Sequence, residues 1–201
     1  AYFIAGQETE LIPFAQKLGL NSLKTDGNYG PPLAIGAAEV TLAEMVQAFS
    51  VFAANGIKKE PFPILKVVDR QGDVIFEKKQ DDAPGQEVLD PQAAYLINNI
   101  LSDKSVYLGG YLDVPSRTTA AKTGTSNKEI TPVKILPASL WTIGYTPSVV
   151  TGVWAGNSDS SPTKVNADGY NVAAPIWSKF MKKALEKLPE ESFPAPTGIK
   201  R

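Results

Sequence analysis

The feature that most constrains this chain is a cluster of three short runs toward its C-terminal end: "TAAKTGTS" (119–126), "SLWTIGY" (139–145) and "VVTGVWAG" (149–156). Each is rich in β-branched, aromatic and small residues, which fit a pleated, half-buried surface. Only Thr146-Pro147-Ser148 separates the second run from the third, a link short enough for an antiparallel pair. After them Pro175 opens a helix with Ile176, Trp177, Phe180, Met181 and Leu185 at helical spacing, ending before Pro189.

Helical patterns precede the strands. Leu11, Ile12, Phe14, Ala15 and Leu18 predict a short helix over 8–18 with Gly19 as its stop, and "GNYGPPLAIG" (27–36) reads as a loop. Thr41 with Glu44 three residues later is a capping box. Behind it Leu42, Met45, Val46, Phe49, Phe52 and Ala53 form one apolar stripe, read as core, until Asn55-Gly56 ends the run. "PILKVVDRQGDVIFEKK" predicts a hairpin turning at 69–73, "KKQDDAPGQEV" a polar loop, and Asp90-Pro91 the start of a helix through about Leu101. Helices, then adjacent strands, then a closing helix give an α+β fold, an antiparallel β-sheet packed with helices. One domain is expected over 1–188, with a tail over 189–201 that has little to bury.

Composition narrows the chemistry. The chain has no histidine and no cysteine, so an enzyme built on it must take its base from Lys, Asp, Glu or Tyr. A formal net charge of -1 gives no general pull toward nucleic acid or an anionic membrane. No run approaches the ~20 apolar residues of a membrane-spanning helix. The chain opens on Ala1 with "AYFIAGQ", apolar from the outset, which reads as a cut inside a domain.

Within the first strand run, "AAKTGTSN" places one lysine where apolar residues give way to small hydroxylated ones. A phosphate-binding loop needs glycines ahead of the lysine, and Arg117-Thr118-Thr119-Ala120-Ala121 has none. On a strand, Lys122 and Gly124 share one face and Thr123 and Thr125 the other. A cation beside a bare glycine leaves room for a ligand to reach the backbone, and an extended peptide could pair with the strand while Lys122 attracts its carboxylate.

"AAKTGTSN", then "LWTIGYTPSVVTGVWAGN", then "AAPIWSKFM", with "LAIGAAEVTLAEMVQAFSVFAANGI" upstream, resembles the C-terminal half of the transpeptidase domain of penicillin-binding proteins, most like the bifunctional class A type. The similarity covers about residues 1–188 in the family's order. That family uses three motifs: S-x-x-K with the nucleophilic serine and its lysine, S-x-N, and K-[TS]-G on a strand. Here Lys122-Thr123-Gly124 matches the third. Ser102-Asp103-Lys104 has the wrong spacing for the first, and "SPTK" (161–164) falls after the third motif in a polar loop. The resemblance implies that the chain starts just past S-x-N, and that the serine, its lysine and the S-x-N residues lie on an N-terminal remainder of the same domain, which is its expected partner.

By resemblance, the parent's serine attacks the carbonyl of a peptidoglycan stem peptide ending in D-Ala-D-Ala and passes the acyl group to an amine on a neighbouring strand, and β-lactams trap that serine. Lys122 would bind the substrate carboxylate electrostatically. Thr123 and Thr125 would hydrogen-bond the ligand, the Thr125 backbone N–H would complete the oxyanion hole, and Gly124 would keep the wall clear. Ser126 and Asn127 extend the candidate binding stretch. No cofactor and no metal is expected, this chain alone should not acylate, and the parent is expected outside the cytoplasmic membrane and anchored to it. A D,D-carboxypeptidase or β-lactamase-like hydrolase is the alternative on the same fold, and a non-catalytic peptide or β-lactam binding module the alternative of another class.

Between Asn127 and Trp141 the stretch "KEITPVKILPASL" is longer than the family's usual turn and reads as a surface loop at the groove's rim. Trp141, Tyr145 and Trp154 either line that groove or pack as core. The Asp81-Asp82 and Glu190-Glu191 pairs read as solvated charge. Asp159, Asn166 and Asp168 lie in a polar loop without the spacing of a calcium site.

Overall fold

The computed structural model describes residues 7–79, 85–105 and 110–199. The "AYFIAG" opening and the Asp81-Asp82 pair lie outside the described residues. In chain order the elements are α1 (Gln7–Leu18), α2 (Leu42–Ala53), β1 (Ile57–Lys58), β2 (Lys66–Val68), β3 (Val74–Glu77), β4 (Gln86–Glu87), α3 (Pro91–Ser102), β5 (Ala120–Thr131), β6 (Lys134–Tyr145), β7 (Val150–Gly156) and α4 (Ala174–Ala184).

The three β-rich runs pair as one antiparallel sheet in the order β5-β6-β7. Two helices cover its opposite faces, and a bare glycine permits each contact. A Cβ on Gly144 would meet Trp177 Cζ2 at 2.4 Å, so α4 lies flat on the middle strand, with Trp177 Nε1 donating to Gly144 O at 3.3 Å. Trp177, Met181 and Leu185 are buried there against Leu112 and Val114. On the other face a Cβ on Gly152 would meet Val46 Cγ2 at 2.6 Å and Leu42 Cδ1 at 2.9 Å, both side chains of α2.

The Thr41 capping box forms as its spacing predicts: Glu44 N–H donates to Thr41 Oγ1 at 3.2 Å, and Thr41 N–H donates to Glu44 Oε2 at 3.0 Å. The same carboxylate accepts from the Ser22 N–H at 2.7 Å and from the Ser22 hydroxyl, so the cap also ties the loop after α1 to α2. Burial pushes the Glu44 carboxyl up, but these hydrogen bonds from Ser22 and Thr41 outweigh it and hold the pKa at about 2.

Several segments differ from their sequence expectations. The 27–36 loop contains a 3-10 turn, Pro31–Ile35, set between Gly30 and Gly36 at φ 66° and 87°; two prolines fit its first turn because N–H groups there have no helical partner. The polar stretch before α3 ends in β4, which pairs Gln86 and Glu87 with Lys58 and Ile57. "KEITPVKILPASL" is no irregular loop: β5 and β6 run on into a long hairpin, with Lys128 opposite Leu136 and Glu129 opposite Ile135. Pro132 and Pro137 suggest a loop, but Pro132 falls in the turn and Pro137 beside a register shift, where a missing donor is tolerated. In α4 the buried residues are Ala174, Trp177, Ser178 and Met181, while Ile176 and Phe180 are exposed on a second face.

The tail also departs from expectation. Phe193 is buried, with its ring centroid 5.6 Å from that of Tyr145 in an edge contact. Tyr145 itself is fully buried and donates to Asn98 Oδ1 at 2.7 Å, while Asn98 Nδ2 donates to Phe52 O at 2.8 Å. This network joins β6, α3 and α2, and burial pushes the Tyr145 hydroxyl pKa up.

Two outcomes are expected. Glu44→Gln should lower stability at pH 7 by a helix cap's worth, about 1 kcal/mol, read as a lower thermal midpoint. The Glu44 pKa is depressed on folding, so its contribution is full above the unfolded carboxylate value and is lost as pH falls through about 2. The gap between wild type and Glu44→Gln should therefore narrow steadily on acidification across that window in pH-dependent melts. Tyr145→Phe should cost about 1–3 kcal/mol in denaturant titrations, because Asn98 Oδ1 is then buried without its donor.

Candidate functional site

The register places the motif as strand alternation predicts. Lys122, Gly124 and Ser126 stand opposite Ile143, Trp141 and Ser139 on the α2 side, and Thr123 and Thr125 stand opposite Thr142 and Leu140 on the α4 side. Among the described residues β5 is an outer strand, with no strand paired to the far edge of the motif. A Cβ on Gly124 would meet nothing nearer than Trp141 Cβ at 3.5 Å, so its α2-side face is open to approach.

That face borders a groove of about 1030 Å³ between the sheet, α1 and the segment leading into α2. Its walls are chiefly apolar, with Leu11 and Phe14 from α1, Met45 and Phe49 from α2, and Trp141 and Trp154 from the sheet. Lys122 through Lys128 of β5 form its polar side. The α2 stripe read as core is only partly so: Leu42, Met45 and Phe49 line the groove, and of the buried α2 residues Ala48, Val51 and Ala53 only Ala53 belongs to that stripe. The three aromatics divide as well, since Trp141 and Trp154 line the groove and Tyr145 belongs to the core.

Lys122 Nζ donates to Thr123 O at 2.6 Å and, among the described residues, makes no ion pair with a carboxylate. Its charge is left to attract an anion in the groove. Thr125 is exposed, and its Oγ1 accepts from the Gly169 N–H at 3.1 Å. A hydroxyl that accepts from an amide keeps its own hydrogen to donate elsewhere. Ser126 and Asn127 are exposed at the same groove.

The other singled-out residues have structural uses. Lys104 pairs with Asp113, and Ser105 rather than Lys104 follows as the hydrogen-bond partner of Asp103. In "SPTK" the Thr163 N–H and hydroxyl both donate to Pro137 O, at 2.7 and 3.0 Å, pinning that loop to β6. Asp159 accepts from the Ser161 N–H at 3.0 Å, and Glu191 from the Ser148 hydroxyl. Asp168 and Asn171 cap one another: Asn171 N–H donates to Asp168 Oδ1 at 2.7 Å, and Asp168 N–H donates to Asn171 Oδ1 at 2.9 Å. Asn171 Nδ2 also donates to Asn166 O at 2.6 Å.

Between them lies Gly169, which opens a π-helical turn, Gly169–Ala173, and which the sequence reading does not single out. Its legible signal is the three-residue Asp168–Asn171 spacing ahead of an apolar run. What is not legible is that this cap sits on the back of β5.

The chain matches the family model described as "Penicillin binding protein transpeptidase domain" over residues 13–182. It belongs to that family. Among curated relatives, this transpeptidase segment is 33% identical over 187 residues to penicillin-binding protein 1A of Mycolicibacterium smegmatis, covering 89% of this chain and 23% of that protein. To penicillin-binding protein 2D of Bacillus subtilis it is 32% identical over 200 residues, covering 90% of this chain and 27% of that one. Among solved structures, penicillin-binding protein PonA1 from Mycobacterium tuberculosis superposes with a TM-score of 0.83 at 26% identity, over 96% of this chain and 53% of the PonA1 chain. Its complex with penicillin V superposes at 0.80. The fold is that of penicillin-binding transpeptidase domains, and the chain spans about a quarter of the length of the curated relatives it matches.

The two glycines of the site should respond oppositely to alanine. A Cβ at residue 169 would sit 2.3 Å from Trp141 O and 2.6 Å from Gly124 O, so Gly169→Ala should lose at least about 1–3 kcal/mol in thermal or denaturant unfolding. Gly124→Ala meets only ordinary contact and should leave stability unchanged or raise it by up to about 1 kcal/mol.

Proposed function

We propose that this chain forms the Lys122-Thr123-Gly124-Thr125 wall of a peptidoglycan D,D-transpeptidase active site. The observation that carries the reading is the Lys122 ammonium, without an ion-pair partner among the described residues, beside the open face of Gly124, on an outer strand at the edge of a large groove in a chain of this family. The serine Oγ attacks the D-Ala-D-Ala carbonyl and terminal D-Ala leaves as an amine; a neighbouring strand's amine then attacks the acyl-enzyme and frees the serine. Lys122 holds the substrate carboxylate by charge, Thr123 and Thr125 hydrogen-bond it, and the Thr125 N–H and the serine's own amide N–H donate to the developing oxyanion. Ser126 and Asn127 continue the binding surface along the strand.

The partner is the remainder of the same domain, carrying S-x-x-K and S-x-N. Two observations support the groove as its seat: the walls are apolar up to the rim at Lys122, and the chain accounts for about half of the PonA1 chain it superposes on. The penicillin V complex of PonA1 supports β-lactams as the inhibitors that trap the serine. The parent acts on the extracytoplasmic side, where its peptidoglycan substrate is assembled, and is anchored in the membrane.

Incubating the complete protein with a fluorescent penicillin should give a covalent label on a serine outside residues 1–201, and Lys122→Ala should slow that labelling by about 10²–10³-fold. The isolated chain should take no label. A complete protein that never labels, or an adduct mapped to a residue of this chain, would sink the reading.

A further inference from the structure

We infer that Gly169 is a clamp that holds Thr125 in position for catalysis, and that Thr142 is the positioning residue that seats the clamp. The inference rests on the transpeptidase reading of the Lys122–Thr125 strand. Among the described residues β5 is an outer strand, tied to the sheet through β6 alone, yet the reading asks its Thr125 amide to meet a developing oxyanion, a task that tolerates misplacement of only about 0.5 Å. A second attachment on its back face meets that need.

Gly169 provides the attachment with both of its backbone polar groups. Its N–H donates to Thr125 Oγ1 on the outer strand at 3.1 Å, and its carbonyl accepts from Thr142 Oγ1 on the middle strand at 2.8 Å. Thr142 is fully buried, and it faces Thr123 across the ladder. One residue thus bridges the two strands at the height of the motif. It can do so only as glycine, because its α-carbon lies against the Gly124 backbone: an added Cβ would be 2.6 Å from Gly124 O and 3.1 Å from Gly124 N.

The clamp is itself fixed at both ends. On one side the Asp168–Asn171 capping box sets the turn. On the other, Ala174 N–H closes the π-helical turn onto Gly169 O, and α4 continues directly into the Trp177 packing. A π-helical turn of this kind spends regular helix geometry to aim particular groups. Here the aimed groups are the amide and carbonyl of Gly169. The amide also occupies a lone pair of Thr125 Oγ1, which leaves that hydroxyl's hydrogen directed away from the clamp as a donor for a ligand carboxylate.

The test compares Thr142→Val, which keeps shape and removes the hydroxyl, with Thr142→Ser, which keeps the hydroxyl, both in the complete protein. Gly169 O retains the Ala174 N–H in either variant, so the fold has a remaining donor there. Fluorescent-penicillin acylation is measured under saturation to separate the maximal acylation rate from the apparent binding constant, and hydrogen exchange is followed in β5 and β7. Thr142→Val should lower the maximal rate about tenfold, the equivalent of one hydrogen bond, and speed exchange in β5 but not β7. Thr142→Ser should return the rate to within about twofold of wild type. Wild-type acylation by Thr142→Val, a serine variant that fails to restore the rate, or equal loosening of β5 and β7 would overturn the clamp while wild-type labelling leaves the transpeptidase reading standing. A complete wild-type protein that does not label overturns both.

Discussion

The indole of Trp177 packed against Gly144 is the contact on which the rest of the arrangement depends. Burying a side chain of this size is worth about 3–5 kcal/mol against its removal, and here the burial requires a bare position on the middle strand. Gly144 stands opposite Ala121, the residue immediately before Lys122. Because side chains alternate along a strand, anchoring Ala121 on the α4 face turns Lys122 and Gly124 to the other face, toward the groove. Core packing and the exposure of the motif are thus two readings of one alternation. A single-residue slip of β5 would exchange them, burying the lysine against α4.

The sheet acts as a partition between two kinds of environment. On the α4 side contacts are close and chiefly buried, through Trp177, Met181 and the Gly169 turn. On the α2 side the same strands end in a wide apolar groove with polar groups along one rim. Close packing behind a strand whose front is open fits the proposed ligand wall.

How much of this was legible in the sequence depended on how local each signal is. The capping box at Thr41, the Asp90-Pro91 start of α3 and the faces of Lys122 to Thr125 follow from spacings of two or three residues, and all are found as read. The third role of Glu44, holding Ser22, was not legible because it joins segments distant in the chain. Phe193 looked like part of a solvated tail because its burial is made by Tyr145, which no local pattern connects to it. The arm between Asn127 and Trp141 was misread for the opposite reason: two prolines gave a strong local loop signal that cross-strand pairing overrides. In the candidate site the residues proposed to face a ligand are visible from the motif, while Thr142 and Gly169, which face the protein, are not.

That arm has a consequence for how the molecule keeps to itself. β7 ends at Gly156 opposite Ser139, so among the described residues the hairpin beyond that point is a two-stranded ribbon with no third strand on either side. Apart from Pro137 O, which accepts from Thr163, its borders offer backbone groups to solvent, and Ile130, Val133 and Ile135 add exposed apolar surface near the tip. Such a ribbon is a template for adding strands from other molecules. Its protection is written into its own residues: Pro137 removes a donor from one border, two register shifts bend the ladder, and Lys128, Glu129 and Lys134 place charge along it. Pro137, one of the two prolines that obscure the hairpin in the sequence, therefore helps guard its colloidal behaviour.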